Sequence, residues 1–542
     1  MARLSDDEDA AVDPQATAGD ALEIERERRH WRHIRERRYV HFARAAAVGL
    51  LSGALAVCFQ WSLFLSEGLR GAALRWLHHY PLWGWAVLPV IGAATGGLAG
   101  WLVSQYAPSA AGSGIPHIEA VLWGLRPLRW ARIPLVKFVG GVLGIGGGLS
   151  LGREGPTVQM GAAVGKGLST WLRVPKRSEN HLIASGAGAG LAAAFNAPLA
   201  GFIFVLEELQ REFSSVTYAT SLTAALTAVM VTRALTGQLP SFHVVGYPMP
   251  PLRALPLVVV LGGVCGLVGV LFNRTLVRSV REFAAWERVS PWARVAMVGA
   301  FAGLLAWWLP EAVGGGHSTA EKVLRGQYAS AVFLLVLLVA KFALTMLSYG
   351  CGAPGGIFAP MLTLGAVLGL LVGKAGASLL PNIAGVPASL APLGMAALFT
   401  ATVRAPLTGV VLITEMTSSY EELYAAAVAC LAAYLVAEQL RDKPVYEALL
   451  ELDLHSRDAD APASEEPVLV DVVVEPRSEM DGRMVRDLNL PPGCLLVTVT
   501  RAGREIVPSG DTTLHHKDHL VVIVSGDAIH RIADLKSAAR SR

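Results

Sequence analysis

Between residues 41 and 440 the chain consists of apolar runs separated by short polar turns, among them 41–64, 84–104, 181–206, 255–272, 292–309, 331–348, 389–413 and 423–438. A helix needs about 20 apolar residues to cross the hydrocarbon core of a bilayer, and several of these runs reach that length. In lipid every backbone N–H and C=O must be satisfied inside the protein, so only helices and closed barrels can span it. Runs of this length predict helices, and the expected fold class is an all-α polytopic membrane protein with a small soluble part attached. Charge supports this: 16% of the residues are Asp, Glu, Lys or Arg, against roughly 25% in soluble domains. Disorder, a collagen and a disulfide-stapled secreted domain are excluded. Cys58, Cys265, Cys351, Cys430 and Cys494 lie far apart with no CxxC, so no metal site and no thiol relay is expected. No cofactor is expected either. A net charge of +3 leaves no footprint for nucleic acid. No Ser/His pair, HExxH or paired catalytic Asp stands out in the spans, so the chain does not read as an enzyme.

Residues 1–40 are polar, with an acidic start (Asp6, Asp7, Glu8, Asp9) and then a segment from Glu23 to Arg38 dense in Arg, Glu and His. Two readings of that segment stand side by side. It is a solvated charge run, or an interfacial amphipathic helix carrying Trp31, Ile34 and Tyr39 among the charges. Either way, seven arginines between Arg26 and Arg38, just before the first span, argue for a cytoplasmic N-terminus. No cleavable signal peptide is visible, because the first apolar run follows about forty polar residues.

The sequence also repeats. GREGPTVQMGAAVG (152–165) aligns with GIFAPMLTLGAVLG (356–369) at an offset of 204, sharing Gly152/Gly356, Pro156/Pro360, Gly161/Gly365 and Gly165/Gly369. NAPLAGFIFVLEE (196–208) aligns with RAPLTGVVLITEM (404–416) at an offset of 208, sharing Pro198/Pro406, Gly201/Gly409 and Glu207/Glu415. Two blocks in one order, with near-equal offsets, indicate homologous halves, about 41–235 and 255–440. Duplicated halves with Gly/Pro-interrupted hydrophobic segments at matching places are the pattern of transporters whose sites lie between the repeats.

The interruptions carry the chemistry. Gly112 and Gly114 flank Ser113, with Pro116 in the first turn of a helix; Gly155 and Pro156 mark a second start; Gly355 and Gly356 precede Ile357 and Phe358 at a third. Each start leaves backbone N–H donors without helical partners, in a region where such donors must be satisfied by the protein or by a ligand. Helix N-termini carry partial positive charge, so that ligand is an anion. One such start reads as a packing kink with small residues at a helix contact. Three of them, two matched across the repeat, favour an anion site.

GSGIPHIEA, GREGPTVQMG and GGIFAPM, in this order, resemble the signature motifs of the CLC family of chloride channels and chloride/proton antiporters. SGAGAGLAAAFNAPLAGFIFVLEE (185–208) and KPVYEALL (443–450) are similar to bacterial members, and the resemblance covers about 41–450. It implies a homodimer with one pore per subunit, each built from two inverted repeats of tilted, discontinuous helices. It also implies chloride and protons as substrates, a lipid surround and an inner (plasma) membrane location with both termini cytoplasmic. Carried over residue by residue, chloride is bound by the Ser113 hydroxyl, the backbone N–H groups of Ile357 and Phe358, and the Tyr446 hydroxyl. The motif neighbours Gly112, Arg153 and Gly155 complete the expected set. Glu154 is the implied external gate and outer proton carrier: its charge competes with chloride for the same donors, and protonation lets the anion in. Glu208 is the implied inner proton acceptor, a residue generally replaced in channels, so its presence favours chloride/proton antiport over a proton-gated chloride channel. Nitrate and fluoride exchangers are the related alternatives; Ser113, Glu154, Pro156 and Tyr446 argue for chloride. Glu119 is a further acid near the membrane, Glu207 and Glu415 read as packing or dimer residues, and His117 as a polar histidine on a helix surface.

After residue 450 the pattern changes. HSRDADAPASEEP (455–467) reads as a linker, 451–467 overall. VLVDVVV (468–474), CLLVTVT (494–500) and HLVVIVS (519–525) read as strands, with a hairpin turn at Ala502-Gly503. DAIHRIADLKS (527–537) has helical spacing. This stretch, 468–540, is similar to the TrkA-C type regulatory module of bacterial potassium-uptake regulators, notably in the LPPG turn at Leu490–Gly493. It carries no GxGxxG or P-loop, and its ligand is left open.

Overall fold

The computed structural model describes residues 14–211, 215–238, 241–242, 252–379 and 387–457 and, with short gaps, 468–525 and 538–539. The helices are α1 (Pro14–Leu77), α2 (Gly84–Tyr106), α3 (Ile115–Leu122), α4 (Arg132–Gly146), α5 (Glu154–Trp171), α6 (Lys176–Phe195), α7 (Pro198–Phe204), α8 (Ser215–Thr236), α9 (Leu255–Ala284), α10 (Pro291–Trp308), α11 (His317–Leu324), α12 (Ala331–Gly350), α13 (Phe358–Leu379), α14 (Leu390–Val403), α15 (Pro406–Thr417), α16 (Leu423–Gln439) and α17 (Val445–Arg457). Seven helical segments among the described residues are long and apolar enough to cross a membrane. Their outward faces carry bare apolar side chains such as Phe64, Met230, Leu267 and Val339, which suits a lipid surround.

Two of the apolar runs are each two helices. Run 181–206 breaks at Asn196, which takes a left-handed backbone conformation (φ 55°), and restarts at Pro198. Run 389–413 breaks in the same way at Arg404 (φ 70°) and restarts at Pro406. A left-handed residue turns the chain, and Pro suits a first turn because it has no N–H to lose. The charged N-terminal stretch is also not a separate piece from Pro14 onward: it is continuous with the first span in α1, which runs 64 residues. The acidic start lies outside the described residues.

The duplication is structural. Helices α1–α8 are followed by α9–α16 in matching order, and α17 closes the membrane part. Gly161 in α5 lies against α6, where an added Cβ would sit 2.1 Å from the Gly186 carbonyl; Gly365 in α13 lies against α14, where the same atom would sit 2.5 Å from the Gly394 carbonyl. Small residues allow this backbone approach, which is how helices associate where lipid is as apolar as leucine. Buried Lys137 in α4 and Lys341 in α12 are 204 positions apart. Lys137 donates to the carbonyls of Ala110 (2.9 Å) and Gly112 (2.6 Å), ahead of α3. Lys341 donates to those of Ala312 (3.2 Å) and Gly314 (3.1 Å), ahead of α11.

Glu207 and Glu415 show how the halves face each other. The Glu207 carboxylate accepts from the N–H groups of Leu407 (3.1 Å) and Thr408 (2.7 Å) at the start of α15. Glu415, near the end of α15, accepts from Leu199 (3.1 Å) and Ala200 (2.8 Å) at the start of α7. Each half therefore caps the other's helix N-terminus with a carboxylate, a favourable charge for that end. The exchange requires α7 and α15 to run antiparallel, so the axis relating the halves crosses the helix direction. This is the geometry of inverted repeats, which the sequence offsets alone did not contain.

The C-terminal strands β1 (Val468–Val473), β2 (Cys494–Arg501), β3 (Arg504–Ile506) and β4 (His519–Val524) form an antiparallel sheet in the order β1-β4-β2-β3. Alternate residues Val470, Val472, Val499, Leu520 and Val522 make its core, as the period of a half-buried strand requires. Asp518 is buried beside it and receives both nitrogens of a forked Arg501 pair, at 2.8 and 2.7 Å. Leu125, in the turn after α3, packs against this core. Neighbouring Arg126 pairs with Asp453 of α17 at 3.6 Å. Residues 458–467 of the linker, the hairpin turn and the helical stretch 527–537 lie outside the described residues.

Candidate functional site

Three glycine-rich loops, each ending in a helix start, are laced together by backbone hydrogen bonds. Gly112 donates to Ala353 (3.1 Å) and accepts from Gly355 (3.0 Å); Gly152 and Gly356 exchange both bonds, at 2.6 and 2.8 Å. Helices α3, α5 and α13 therefore begin side by side. The approach is close enough that a Cβ on Gly155 would stand 2.7 Å from the Ser113 carbonyl, and one on Gly356 would stand 2.9 Å from the Gly155 nitrogen. Gly114 is excluded to other residues twice over. Its φ is 84°, and the Gln159 side chain occupies the Cβ position to within 2.4 Å.

Ser113, Ile357, Phe358 and Tyr446 are all fully buried at 0% exposure. The Ser113 Oγ accepts from the Ile115 N–H at 3.3 Å, and the Ser113 N–H donates to the Tyr349 hydroxyl at 3.4 Å. Tyr446, from the start of α17, stacks on Phe358 with ring centroids 6.3 Å apart. Phe399 closes on the same Phe358 ring at 4.9 Å. Within this buried aromatic surround the Tyr446 hydroxyl has no hydrogen-bond partner among the described groups. A buried hydroxyl left unpaired in the protein costs about 1–3 kcal/mol, so it marks a place for a ligand. Hydroxyls and first-turn amides are neutral donors, and that donor set fits an anion.

Glu154 is the first residue of α5 and is 2% exposed. Its carboxylate lies against the Ala359 N–H in the first turn of α13. One oxygen is 4.0 Å from the Arg153 Nε, and the other has no hydrogen-bond partner. Arg153 itself is held by the Ala194 carbonyl, 3.0 Å away at the end of α6. The carboxylate thus sits on two helix N-termini at once, where negative charge is favoured. Its position is also the position an anion would seek. A cavity of about 460 Å³ borders Gly112, Gly114, Tyr349, Arg281 and Asp453 and opens toward the Ser113 loop. His117 is not a free surface histidine: half-buried, it lines this cavity with its Nδ1 3.2 Å from the Gln159 amide nitrogen. The α3 start places it there, one residue after Pro116.

Glu208 belongs to a second cluster. Helix α7 continues as one π-helical turn, Val205–Gln210, which holds Glu208 buried at 3% exposure. Such turns are rare and concentrate at functional positions. The chain then turns through left-handed Arg211 (φ 53°). The Arg211 guanidinium lies 3.8 Å from Glu208, 3.6 Å from Glu119 and 3.4 Å from Glu447. Sequence reading singled out Glu208 and Glu119 and missed Arg211, Glu447, Tyr349 and Lys137. A lysine inside the apolar run of α4 was a usable signal, since intramembrane charges mark function or a structural tie. Tyr349 and Arg211 gave none.

Residues 95–438 match the family model described as Voltage gated chloride channel. The chain belongs to the CLC family. Residues 469–537 match the TrkA-C domain, so this CLC chain carries the C-terminal module its strand pattern suggested. Among curated CLC relatives, the H(+)/Cl(-) exchange transporter ClcA of Vibrio vulnificus (strain YJ016) is 42% identical over 418 residues, 75% of this chain and 88% of that protein. The transporter of the same name from Vibrio parahaemolyticus serotype O3:K6 is 40% identical over 436 residues, covering 78% and 92%. Among solved CLC structures, that of a slow cyanobacterial Cl-/H+ antiporter superposes with a TM-score of 0.74 at 34% identity, covering 77% of this chain and 99% of that one.

Proposed function

We propose that this CLC protein is a chloride/proton antiporter, in which Ser113, the N–H groups of Ile357 and Phe358, and Tyr446 hold chloride. Gly112, Arg153 and Gly155 shape and charge the approach. Glu154 gates the path and carries the outer proton, and Glu208 takes up the inner one. The observation that carries this reading is the Glu154 carboxylate lying on the α5 and α13 N-termini, the donors an incoming anion needs. Chloride and an ionised Glu154 exclude each other there, and a proton on Glu154 resolves the competition. The exchangers named among the relatives support the choice of substrates. The protein acts as a homodimer with one path per subunit in the inner membrane, both termini cytoplasmic. The arginines before Tyr39 support that orientation. Leu199 and Leu407, exposed on the repeat-related helices α7 and α15, support an apolar contact between subunits.

The test is purified protein in liposomes with chloride efflux and proton uptake recorded together. Outward chloride flow is expected to drive protons inward against their gradient. Chloride flow with no uphill proton movement makes the protein a channel and overturns the proposal.

The chloride ligands have their own test. Ser113→Ala with Tyr446→Phe should weaken chloride binding about ten-fold or more, since each hydroxyl contributes on the order of 1 kcal/mol to a neutral site. Calorimetry on the double variant reads this directly. Unchanged affinity places the anion elsewhere.

A further inference from the structure

Arg211 is a single cation facing three carboxylates drawn from three parts of the chain. Glu119 comes from α3, Glu208 from the π-helical turn and Glu447 from α17. Glu119 and Glu208 have side chains exposed by 1% and 4%, whereas that of Glu447 is 33% exposed. One guanidinium nitrogen is shared by the two buried acids, and the other is given to Glu447. Among the described residues the remaining charged neighbour of Glu208 is Glu207, which is engaged by the α15 amides, and the Tyr446 ring lies on its α17 side. Arginine stays protonated throughout, so the charge of this cluster changes only through its acids. With all three ionised, three carboxylates face one guanidinium in a mostly buried place, which is unfavourable for the charged forms.

We propose that Arg211 and Glu447 together set the pH at which Glu208 exchanges its proton with the adjoining aqueous side. Arg211 is the counter-charge that makes ionised Glu208 tolerable, and Glu447 is a solvated competitor that draws part of that counter-charge away. Both are positioning residues that act through Glu208, and α17 thus presents an anion ligand, Tyr446, and a proton-tuning acid, Glu447, at consecutive positions. The inference rests on the antiporter reading.

Proton flux through liposomes is measured against pH for the wild type, Glu447→Gln, Arg211→Gln and Arg211→Lys. Removing Glu447 leaves Arg211 to Glu208, favours the ionised form, and moves the midpoint of proton flux to more acid pH. Removing Arg211 does the opposite, by about one pH unit or more, as expected for the loss of an opposite charge within 4–6 Å. Arg211→Lys keeps the charge and returns the midpoint toward the wild-type value. Opposite shifts from the two neutralisations are the signature, because a merely structural role for either residue lowers flux without moving midpoints apart. If wild-type protein exchanges protons but the midpoints stay put or move together, this proposal fails and the antiporter reading stands. If wild-type protein moves no protons, the antiporter reading itself has failed. Should Arg211→Gln not fold, the acid shift of Glu447→Gln decides alone.

Discussion

The Glu154→Gln protein is expected to carry chloride at a rate indifferent to pH and to move no protons with it. Gln has the shape of a protonated Glu, so the α5 start keeps its form while the charge goes. The carboxylate now rests against the Ala359 N–H, with one oxygen unpartnered. An anion that takes over such a donor gains a hydrogen bond to a charged group, about 1.5–3 kcal/mol, and ionised Glu154 keeps the anion from it. Without the carboxylate, chloride binding should tighten roughly ten-fold or more, by the same figure. Liposome flux across a range of pH, with calorimetry on the same protein, reads both effects. Retained proton coupling in this variant removes Glu154 from the gate.

The helix starts that build this site were legible because their chemistry is local. Gly112 and Gly114 around Ser113, Gly155 before Pro156, and Gly355 and Gly356 before Ile357 each announce a tight turn within a few residues. Their convergence was legible only in part. Matched blocks showed duplication, but not that Gly152 and Gly356 would hydrogen-bond to each other. Hydropathy joins 181–206 and 389–413 into single apolar runs because it does not register Asn196 and Arg404 turning left-handed ahead of Pro198 and Pro406. The shared prolines were the better guide. Tyr349 on Ser113 and Glu447 on Arg211 each join residues 236 positions apart, and no spacing rule reaches that far. Glu207 and Glu415 stand between these cases. Their correspondence was plain from the offset, whereas their task, each capping the other half's helix, depends on an antiparallel arrangement that only the fold supplies.

Glu208→Gln is expected to abolish proton movement while chloride still crosses. Glu208 lies in a cluster separate from the three laced loops, and among the described residues no hydrogen bond joins it to Ser113 or Tyr446. Its removal leaves Ser113, Phe358 and Tyr446 in place, so the anion keeps its donors. The fold should persist as well, because Arg211 retains Glu119 and Glu447 as partners at 3.6 and 3.4 Å, and the amide of Gln fits the same π-helical turn. What disappears is the one ionisable group of that turn not already occupied in capping α15. A proton reaching Glu154 from the Glu208 side must then cross without an acid to pause on. Parallel recording of both fluxes in liposomes decides the matter. Loss of chloride and proton flux together assigns Glu208 to packing. Undiminished proton flux with chloride intact sends the inner proton through another group, and Glu119, which shares the same arginine nitrogen, is then the acid to change next.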